Sequence, residues 1–163
     1  LKRWYIIDMT PKSSNGNSFE ANNFEWVEVK DIINIEMINN FLIINCIGKD
    51  DKLALSINKE FFIHNLKIKN RSNENLVKEI LDFLNVHNTA LDETFSVIIN
   101  QGPGSFSAIR ISLAVAKGLI ISKNIKLYGY KDKDLKHFNQ ENIEILLKEK
   151  LVEKKLIKPI YLS

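Results

Sequence analysis

A glycine-rich segment carries the residues of this sequence whose types and spacing could support chemistry. The run Gly102-Pro103-Gly104-Ser105-Phe106 follows an apolar stretch, Phe95 to Ile99, and precedes a second one, Leu113 to Ser122. Glycine and proline favour a tight turn. Ser105 or Ser107 could accept a hydrogen bond from an early backbone N–H group of a following helix. The segment therefore predicts a strand, a turn and a helix, a junction at which sheet proteins often bind ligands or partners.

This turn differs from the glycine-rich loops that bind nucleotides. It lacks the spaced glycines of dinucleotide-binding proteins, and no Gly-Lys-Ser or Gly-Lys-Thr sequence follows it. From spacing alone, a turn whose glycines serve only the backbone is the simpler interpretation, and a binding turn is the alternative.

The other residue types that could act in catalysis or metal binding are scattered along the chain. Cys46 is the single cysteine, and a small buried residue is favoured over a nucleophile because no general base is paired with it. His64, His87 and His137 lack the spacing of metal ligands and form no Ser/His/Asp arrangement. Asn45 is neutral and cannot supply the charge that holds a divalent cation. We therefore expect no catalytic residue, no metal site and no cofactor of the chain's own.

Composition limits the size of the protein and the nature of its partners. The 163 residues are 45% hydrophobic, which is enough for one domain core with a small appendage. The net charge of +3 is small and is not clustered, which argues against nucleic-acid binding by this chain alone. No apolar run could span a bilayer and no apolar signal core is present, so we expect a cytoplasmic protein without membrane contact.

Hydrophobic patterning predicts alternating strands and helices. Leu76, Ile80 and Leu84 recur every four residues and indicate an amphipathic helix. Its expected N-cap is Ser72 or Asn73. The predicted strands are Phe41 to Ile47, Lys52 to Ile57, Phe61 to Ile68, Phe95 to Ile99 and Ile125 to Tyr130, and a second helix runs from Ser105 to Ser122. The order βββαβαβ is that of the ribonuclease-H-like half-domain of actin, Hsp70 and sugar kinases (the ASKHA fold), so we expect an α/β fold with a mixed sheet.

Three parts of the chain are predicted from composition. Residues 1–36 are polar in their middle and are predicted to be a weakly ordered extension or the product of an early assigned start; the alternative is a real strand at Phe24 to Val29. Residues 37–130 form the predicted α/β domain. Residues 131–163 add a lysine-rich linker, a helix from Gln140 to Lys155 and a short tail.

The glycine-rich segment resembles the signature Gly-Pro-Gly-Ser-Phe-Thr-Gly-x-Arg-Ile-Gly of the TsaB (YeaZ) family. The matching positions are Gly102, Pro103, Gly104, Ser105, Phe106, Arg110 and Ile111, and the conservative departures are Ser107, Ala108 and Ser112. Lys158 to Ser163 resemble the family's Pro-x-Tyr-Leu ending. The family carries a second, larger domain, so the resemblance implies that residues 131–163 are its shortened remnant.

The resemblance implies a non-catalytic scaffold or dimerisation subunit in the synthesis of threonylcarbamoyladenosine in tRNA. The expected partners are a TsaD-like catalytic subunit, which this chain would bind and activate, and a TsaE-like ATPase. ATP or ADP and the metal ion are then expected on the partner subunits, and tRNA contact only through the complex. The alternatives are a nucleotide-binding enzyme of the sugar-kinase class and a self-associating homodimer.

Small side chains recur along the second predicted helix. Ala108, Ser112 and Ala116 are spaced four residues apart and form a ridge that a second helix could approach closely; packing on the chain's own sheet is the alternative. The resemblance places the dimer surface on this helix and the preceding one, although an apolar stripe more often faces a core. The predicted partner interface is therefore Ala108, Ser112, Ala116, Leu76, Ile80 and Phe83. We expect Ala108→Leu or Ser112→Arg to break the complex and leave the fold intact.

Arg110 is placed in the first turns of the second predicted helix, where the helix dipole disfavours a cation. Its presence there requires a carboxylate, a phosphate or loop carbonyl groups as partners. A surface arginine bonded to loop carbonyls is one interpretation. The resemblance favours a role in shaping the glycine-rich turn or the subunit interface.

Overall fold

The computed structural model describes the backbone of residues 4–8 and 24–28, and both backbone and side chains of residues 38–67, 72–154 and 157–161. The chain forms two compact units, Leu1–Met37 and Ile38–Ser163.

The first unit contains an antiparallel hairpin. Strand β1 (Trp4–Asp8) pairs with strand β2 (Phe24–Glu28), with Trp4 opposite Glu28. Aromatic and β-branched residues favour such strands, and β2 agrees with the alternative prediction of a strand at Phe24 to Val29. The predicted extension otherwise lies outside the described residues, and the predicted boundary at residue 36 stays a prediction.

The second unit contains a five-stranded mixed sheet with helices on both faces. Its elements are β3 (Phe41–Asn45), β4 (Lys52–Ile57), β5 (Glu60–Asn65), α1 (Asn73–Val86), β6 (Ser96–Asn100), α2 (Phe106–Lys123), β7 (Lys126–Tyr130), a 3₁₀ turn (Asp132–Asp134) and α3 (Gln140–Lys148). The predicted order βββαβαβ is confirmed from β3 to β7.

The strand order in this sheet is β5-β4-β3-β6-β7. β3, β6 and β7 are parallel to one another, whereas β4 runs antiparallel to β3 and to β5. This arrangement is the α/β fold with a mixed sheet that the sequence predicts. Because the carboxyl ends of parallel strands meet at one edge of a sheet, the residues that end β3, β6 and β7 lie close together.

Alternation along the strands produces a core on each face of the sheet. On one face, Leu42 and Ile44 belong to a cluster that includes buried residues of α1 and α2. On the other face, Phe41 and Ile43 pack with Ile143 and other residues of α3. The sheet is therefore covered by α1 and α2 on one side and by α3 on the other.

The helix predicted at Gln140 to Lys155 is correct in its start and wrong in its end. Asn139 caps α3 by accepting a hydrogen bond from the backbone N–H of Asn142 at 2.9 Å. The helix ends at Lys148, because the chain then turns so that Glu153 pairs with Gly129 at the edge of β7. Within the described part of the chain, no helix has the length and apolar character needed to cross a membrane.

Candidate functional site

A closed polar network lies at the carboxyl edge of the sheet. The Asn45 side-chain oxygen accepts hydrogen bonds from the Asn100 amide at 2.7 Å and from the Tyr130 hydroxyl at 3.1 Å. The same Asn100 amide donates to Asp132 at 2.9 Å. Asn45, Asn100 and Tyr130 are buried. The neutral Asn45 side chain is therefore engaged within the chain by two donors.

Burial keeps the Tyr130 hydroxyl protonated. Loss of contact with water raises the pKa of Tyr130 far above its usual range, and the negative charge of Asp132 raises it further, while a hydrogen bond from Asn100 opposes these effects. A protonated hydroxyl can donate to Asn45, so the shifted pKa and the hydrogen bond are consistent with each other. Among the described residues, no three His, Cys, Asp or Glu side chains are grouped to hold a metal ion.

His64, His87 and Cys46 make contacts within the chain, and His137 is exposed. His64 bonds to Glu79 at 2.8 Å and stacks on the Phe83 ring. The His87 ring lies 3.8 Å from the Phe62 ring. Cys46 is buried and its thiol lies 3.5 Å from an Asp51 oxygen. The structure does not bring these groups together with the polar network into one cleft.

Glycines shape the turn after β6 because other segments of backbone pass close to it. Gly102 has a φ of 98°, and a Cβ there would collide with the carbonyl oxygen of Ile160. A Cβ at Gly104 would lie 2.6 Å from the carbonyl oxygen of Ile47. The Gly102–Pro103 peptide bond is cis. These contacts favour the interpretation in which both glycines serve the backbone.

The turn holds the segment Ile157–Tyr161 against the start of α2. The Ile160 N–H donates to the Gln101 carbonyl at 2.7 Å, and the Gln101 side-chain amide donates to the Lys158 carbonyl at 3.1 Å. Gly104 forms a parallel bridge with Tyr161. On the other side, the Ser105 N–H donates to the Ile47 carbonyl at 2.7 Å. The first turn of α2 is thus fixed by two flanking segments.

The expected side-chain cap of α2 is absent at Ser105. Ser105 is the N-cap residue, yet its side chain makes no capping hydrogen bond and lies 3.3 Å from the Ser107 hydroxyl instead. Arg110 lies over the Phe106 ring, with 4.9 Å between its guanidinium carbon and the ring centroid. The structure therefore places Arg110 against an aromatic ring of the turn.

All six residues predicted to form the partner interface are buried within the chain itself, so their side chains cannot be an exposed surface in this conformation. The buried set is Ala108, Ser112, Ala116, Leu76, Ile80 and Phe83. The physical reason is that α1 and α2 contact each other and contribute their buried side chains to the core on one face of the sheet. For the three small side chains of α2, burial within the chain, which was the alternative to a partner interface, is therefore what the structure shows.

The two test substitutions named for that ridge must also be corrected. Ala108 and Ser112 have no exposed surface, and the Ser112 hydroxyl donates to the Ile109 carbonyl at 2.9 Å. A leucine at position 108 would overpack the core, and an arginine at position 112 would bury a charge. Both would destabilise the fold and would not test partner binding.

Besides Arg110, the exposed side of α2 has small residues, a lysine and an isoleucine that sequence reasoning missed. Ala114 and Gly118 are one turn apart and exposed, and Ile121 is 83% exposed. A Cβ at Gly118 would meet no atom within 4 Å. A glycine inside an otherwise apolar helix was the signal that could have found this face. We define the outer face of α2 as Ser107, Arg110, Ala114, Lys117, Gly118 and Ile121.

Charge differs between the two helices on this side of the sheet. α2 contains Arg110, Lys117 and Lys123 and no acidic residue. α1 exposes the acidic residues Glu74 and Asp82 and the single basic residue Lys78. Its exposed apolar residues are Leu81 and Val86, which are 48% and 74% exposed. The outer face of α2 is therefore basic with a small-residue centre.

Comparison with known proteins identifies proteins that are similar to this chain. No protein-family model matches the chain. The tRNA threonylcarbamoyladenosine biosynthesis protein TsaB of Buchnera aphidicola subsp. Acyrthosiphon pisum (strain APS) is 26% identical over 108 residues, which are 61% of this chain and 49% of that protein. This chain thus spans about half the length of the curated relative that it matches.

Solved structures share the fold. The chain is similar to YeaZ from Pseudomonas aeruginosa, with a TM-score of 0.54 and 20% identity over 60% of this chain and 46% of that one. A second structure from the same organism, described as an uncharacterized protein with similarity to peptidase YEAZ, has the same TM-score and identity over 60% of this chain and 45% of that one. These likenesses support the α/β fold described above.

Proposed function

This chain is a relative of the TsaB (YeaZ) proteins, and on that premise we propose that it is a non-catalytic scaffold subunit in the synthesis of N6-threonylcarbamoyladenosine in tRNA. Its partner in the proposal is a TsaD-type catalytic subunit, which it binds and holds in the active state. A TsaE-type ATPase joins the complex. ATP or ADP and the metal ion belong to those partner subunits, and tRNA contacts the complex as a whole.

The observation that carries the proposal is Gly118 on the outer face of α2. An exposed glycine inside a helix costs about 0.5–1 kcal/mol relative to alanine. No described residue occupies the space beside Gly118, so the chain's own packing does not account for the glycine. With Ala114 one turn earlier, it leaves a shallow place where a partner helix can approach closely, and the exposed Ile121 adds apolar contact.

The polar network at the carboxyl edge of the sheet supports a non-catalytic role. Asn45 contributes an uncharged oxygen that already accepts two hydrogen bonds within the chain. Tyr130 is protonated and buried, and Asn100 is bonded to both Asn45 and Asp132. These groups bond to one another, as groups with a structural role do.

A second candidate is a homodimer that uses the same helices. Because α1 exposes acidic residues and α2 is basic, two copies related by a two-fold axis could pair α1 of one with α2 of the other. Such a dimer would occupy the outer face of α2 without the catalytic subunit.

Size-exclusion chromatography with light scattering tests the proposal on the full chain and the TsaD-type subunit of the same organism. We expect a stable 1:1 complex for the unaltered chain. Gly118→Leu and Ile121→Asp should each weaken it by at least about tenfold, because one fills the place of closest approach and the other buries a charge. Ile145→Asp is the matched control, since Ile145 is a half-exposed residue of α3 on the opposite face of the sheet.

The outcomes separate the two candidates. Two separate peaks for the unaltered proteins would contradict the scaffold proposal. If the Gly118→Leu and Ile121→Asp variants bound the catalytic subunit as tightly as the unaltered chain does, the assignment of the docking surface to the outer face of α2 would be wrong. A dimer of the chain alone that Ile121→Asp dissociates, with no binding of the catalytic subunit, would support the homodimer.

A further inference from the structure

An aromatic pair and an arginine form an exposed stack at the start of α2. The Phe106 and Tyr161 ring centroids are 4.6 Å apart, and the Arg110 guanidinium carbon lies 4.9 Å from the Phe106 centroid. Phe106 is 55% exposed and Tyr161 is 40% exposed. We name these three side chains the aromatic–arginine stack. Aromatic residues and arginine are enriched in protein interfaces and account for much of their binding energy.

The stack joins two parts of the chain that are far apart in sequence. Tyr161 belongs to the segment Ile157–Tyr161, whose first residue is buried in the core. Ile160 and Lys158 are both hydrogen-bonded to Gln101, at 2.7 Å and 3.1 Å. Tyr161 is therefore presented on a fixed backbone, which lowers the entropy lost when a partner binds it.

Arg110 carries a positive charge that no acidic side chain of the described residues neutralises. Among the described residues, no carboxylate lies within salt-bridge distance of its guanidinium. Its position in the first turns of α2 sets a cation against the positive end of the helix dipole. α2 itself contains no acidic residue. A carboxylate from another protein would satisfy both the guanidinium and the helix end.

We propose that the aromatic–arginine stack is a second anchor of the docking surface, at which an acidic segment of the partner protein places a carboxylate on Arg110 and packs against Phe106 and Tyr161. Arg110 precedes Ala114 by one helical turn, so the anchor continues the outer face of α2. The inference rests on the proposed function, because the partner is the same subunit. It adds that the partner segment at this place is acidic, and it assigns the segment Ile157–Tyr161 to the interface.

Calorimetric titration of the full chain with the TsaD-type subunit tests the anchor, at about 50 mM and about 500 mM NaCl. We expect Arg110→Gln to weaken binding by about tenfold or more at low salt and to reduce its salt dependence. Tyr161→Ala should also weaken binding about tenfold, whereas Tyr161→Phe retains the ring and should bind normally. Lys148→Gln is the control, because it removes the same charge from α3 on the other face of the sheet.

The result that overturns the anchor is unchanged affinity and salt dependence of Arg110→Gln and Tyr161→Ala while Ile121→Asp abolishes binding. That pattern would leave the scaffold proposal standing. Failure of the unaltered chain to bind would overturn the scaffold proposal and the anchor with it. Arg110 is exposed, so Arg110→Gln should fold normally and decides the test even where Tyr161→Ala does not fold.

Discussion

Gly102 and Gly118 differ in whether the fold of the chain requires a glycine. Gly102 has a positive φ and adjoins the Ile160 carbonyl, so the fold of this chain requires it. Gly118 adjoins open space in a helix, so the fold does not require it. A residue-level comparison can therefore separate a structural glycine from one that serves an external contact.

Alanine at each of these positions should change stability in opposite directions. We expect Gly102→Ala to lower the free energy of unfolding by about 1–3 kcal/mol, because it combines backbone strain with a collision. Gly118→Ala should raise it by about 0.5–1 kcal/mol, because alanine is the better helix former. Urea unfolding of both variants measures the two changes. Destabilisation by both would contradict the assignment of Gly118 to an external contact.

Tyr130 should make stability fall at alkaline pH. Its pKa is raised in the folded state by burial and by Asp132, whereas an unfolded tyrosine ionises at about 10. Above that pH the native state binds the extra proton, so its stability decreases as pH rises, by up to about 1.4 kcal/mol per pH unit. Below about pH 10 the tyrosine is protonated in both the folded and the unfolded state, so ionisation of Tyr130 takes nothing from the free energy of unfolding.

Unfolding measured between about pH 9 and 11 should therefore show a steeper loss for the unaltered chain than for Tyr130→Phe. Tyr128→Phe is the matched control: partial burial also raises the pKa of Tyr128, but less strongly, so its removal should change the slope less. Identical slopes for the unaltered chain and Tyr130→Phe would argue against a buried, protonated Tyr130.

At the scale of the elements, the two main helices begin in different ways. Ser72 caps α1 by accepting a hydrogen bond from the Asn75 N–H at 3.1 Å. Ser105 begins α2 through its backbone, donating to Ile47 and accepting from Ile109. The sequence places a serine near both starts, but only the neighbouring segments decide which hydroxyl is used.

Alanine substitution of the two serines should reveal this difference. Ser72→Ala removes a capping bond and should cost about 1 kcal/mol of unfolding free energy. Ser105→Ala leaves the backbone bonds in place and should cost less than about 0.5 kcal/mol. Thermal or urea unfolding of the two variants is sufficient to compare them, and equal losses would show that Ser105 caps α2 in solution.

Local sequence patterns predicted where the helices lie better than they predicted which side of each helix is buried. The four-residue spacing in α1 identified the helix, but Leu76 and Ile80 of that stripe were assigned to the partner interface, whereas they are buried in the core. α2 is apolar on nearly all sides, so no pattern distinguished its buried face from its exposed one. The end of α3 was missed because the bond between Glu153 and Gly129 joins residues far apart in sequence.

At the scale of the whole molecule, the small net charge conceals a local asymmetry. The chain carries +3 overall, yet α2 concentrates three basic residues without an acidic one. The region of this chain that matches the curated TsaB relative covers about half of that protein. A docking surface built from α2 and the segment Ile157–Tyr161 lies wholly within the second unit.

The amino-acid sequence by itself determined the element order and the glycine-rich turn, because periodicity and glycine act over a few residues. It also identified Arg110 as a cation in need of a partner. Only the tertiary structure decided which side of α2 is buried, since that depends on how closely α1 approaches it. The stacking of Tyr161 on Phe106 was likewise beyond sequence reasoning, because hydrogen bonds between Gln101 and a distant segment bring the two rings together.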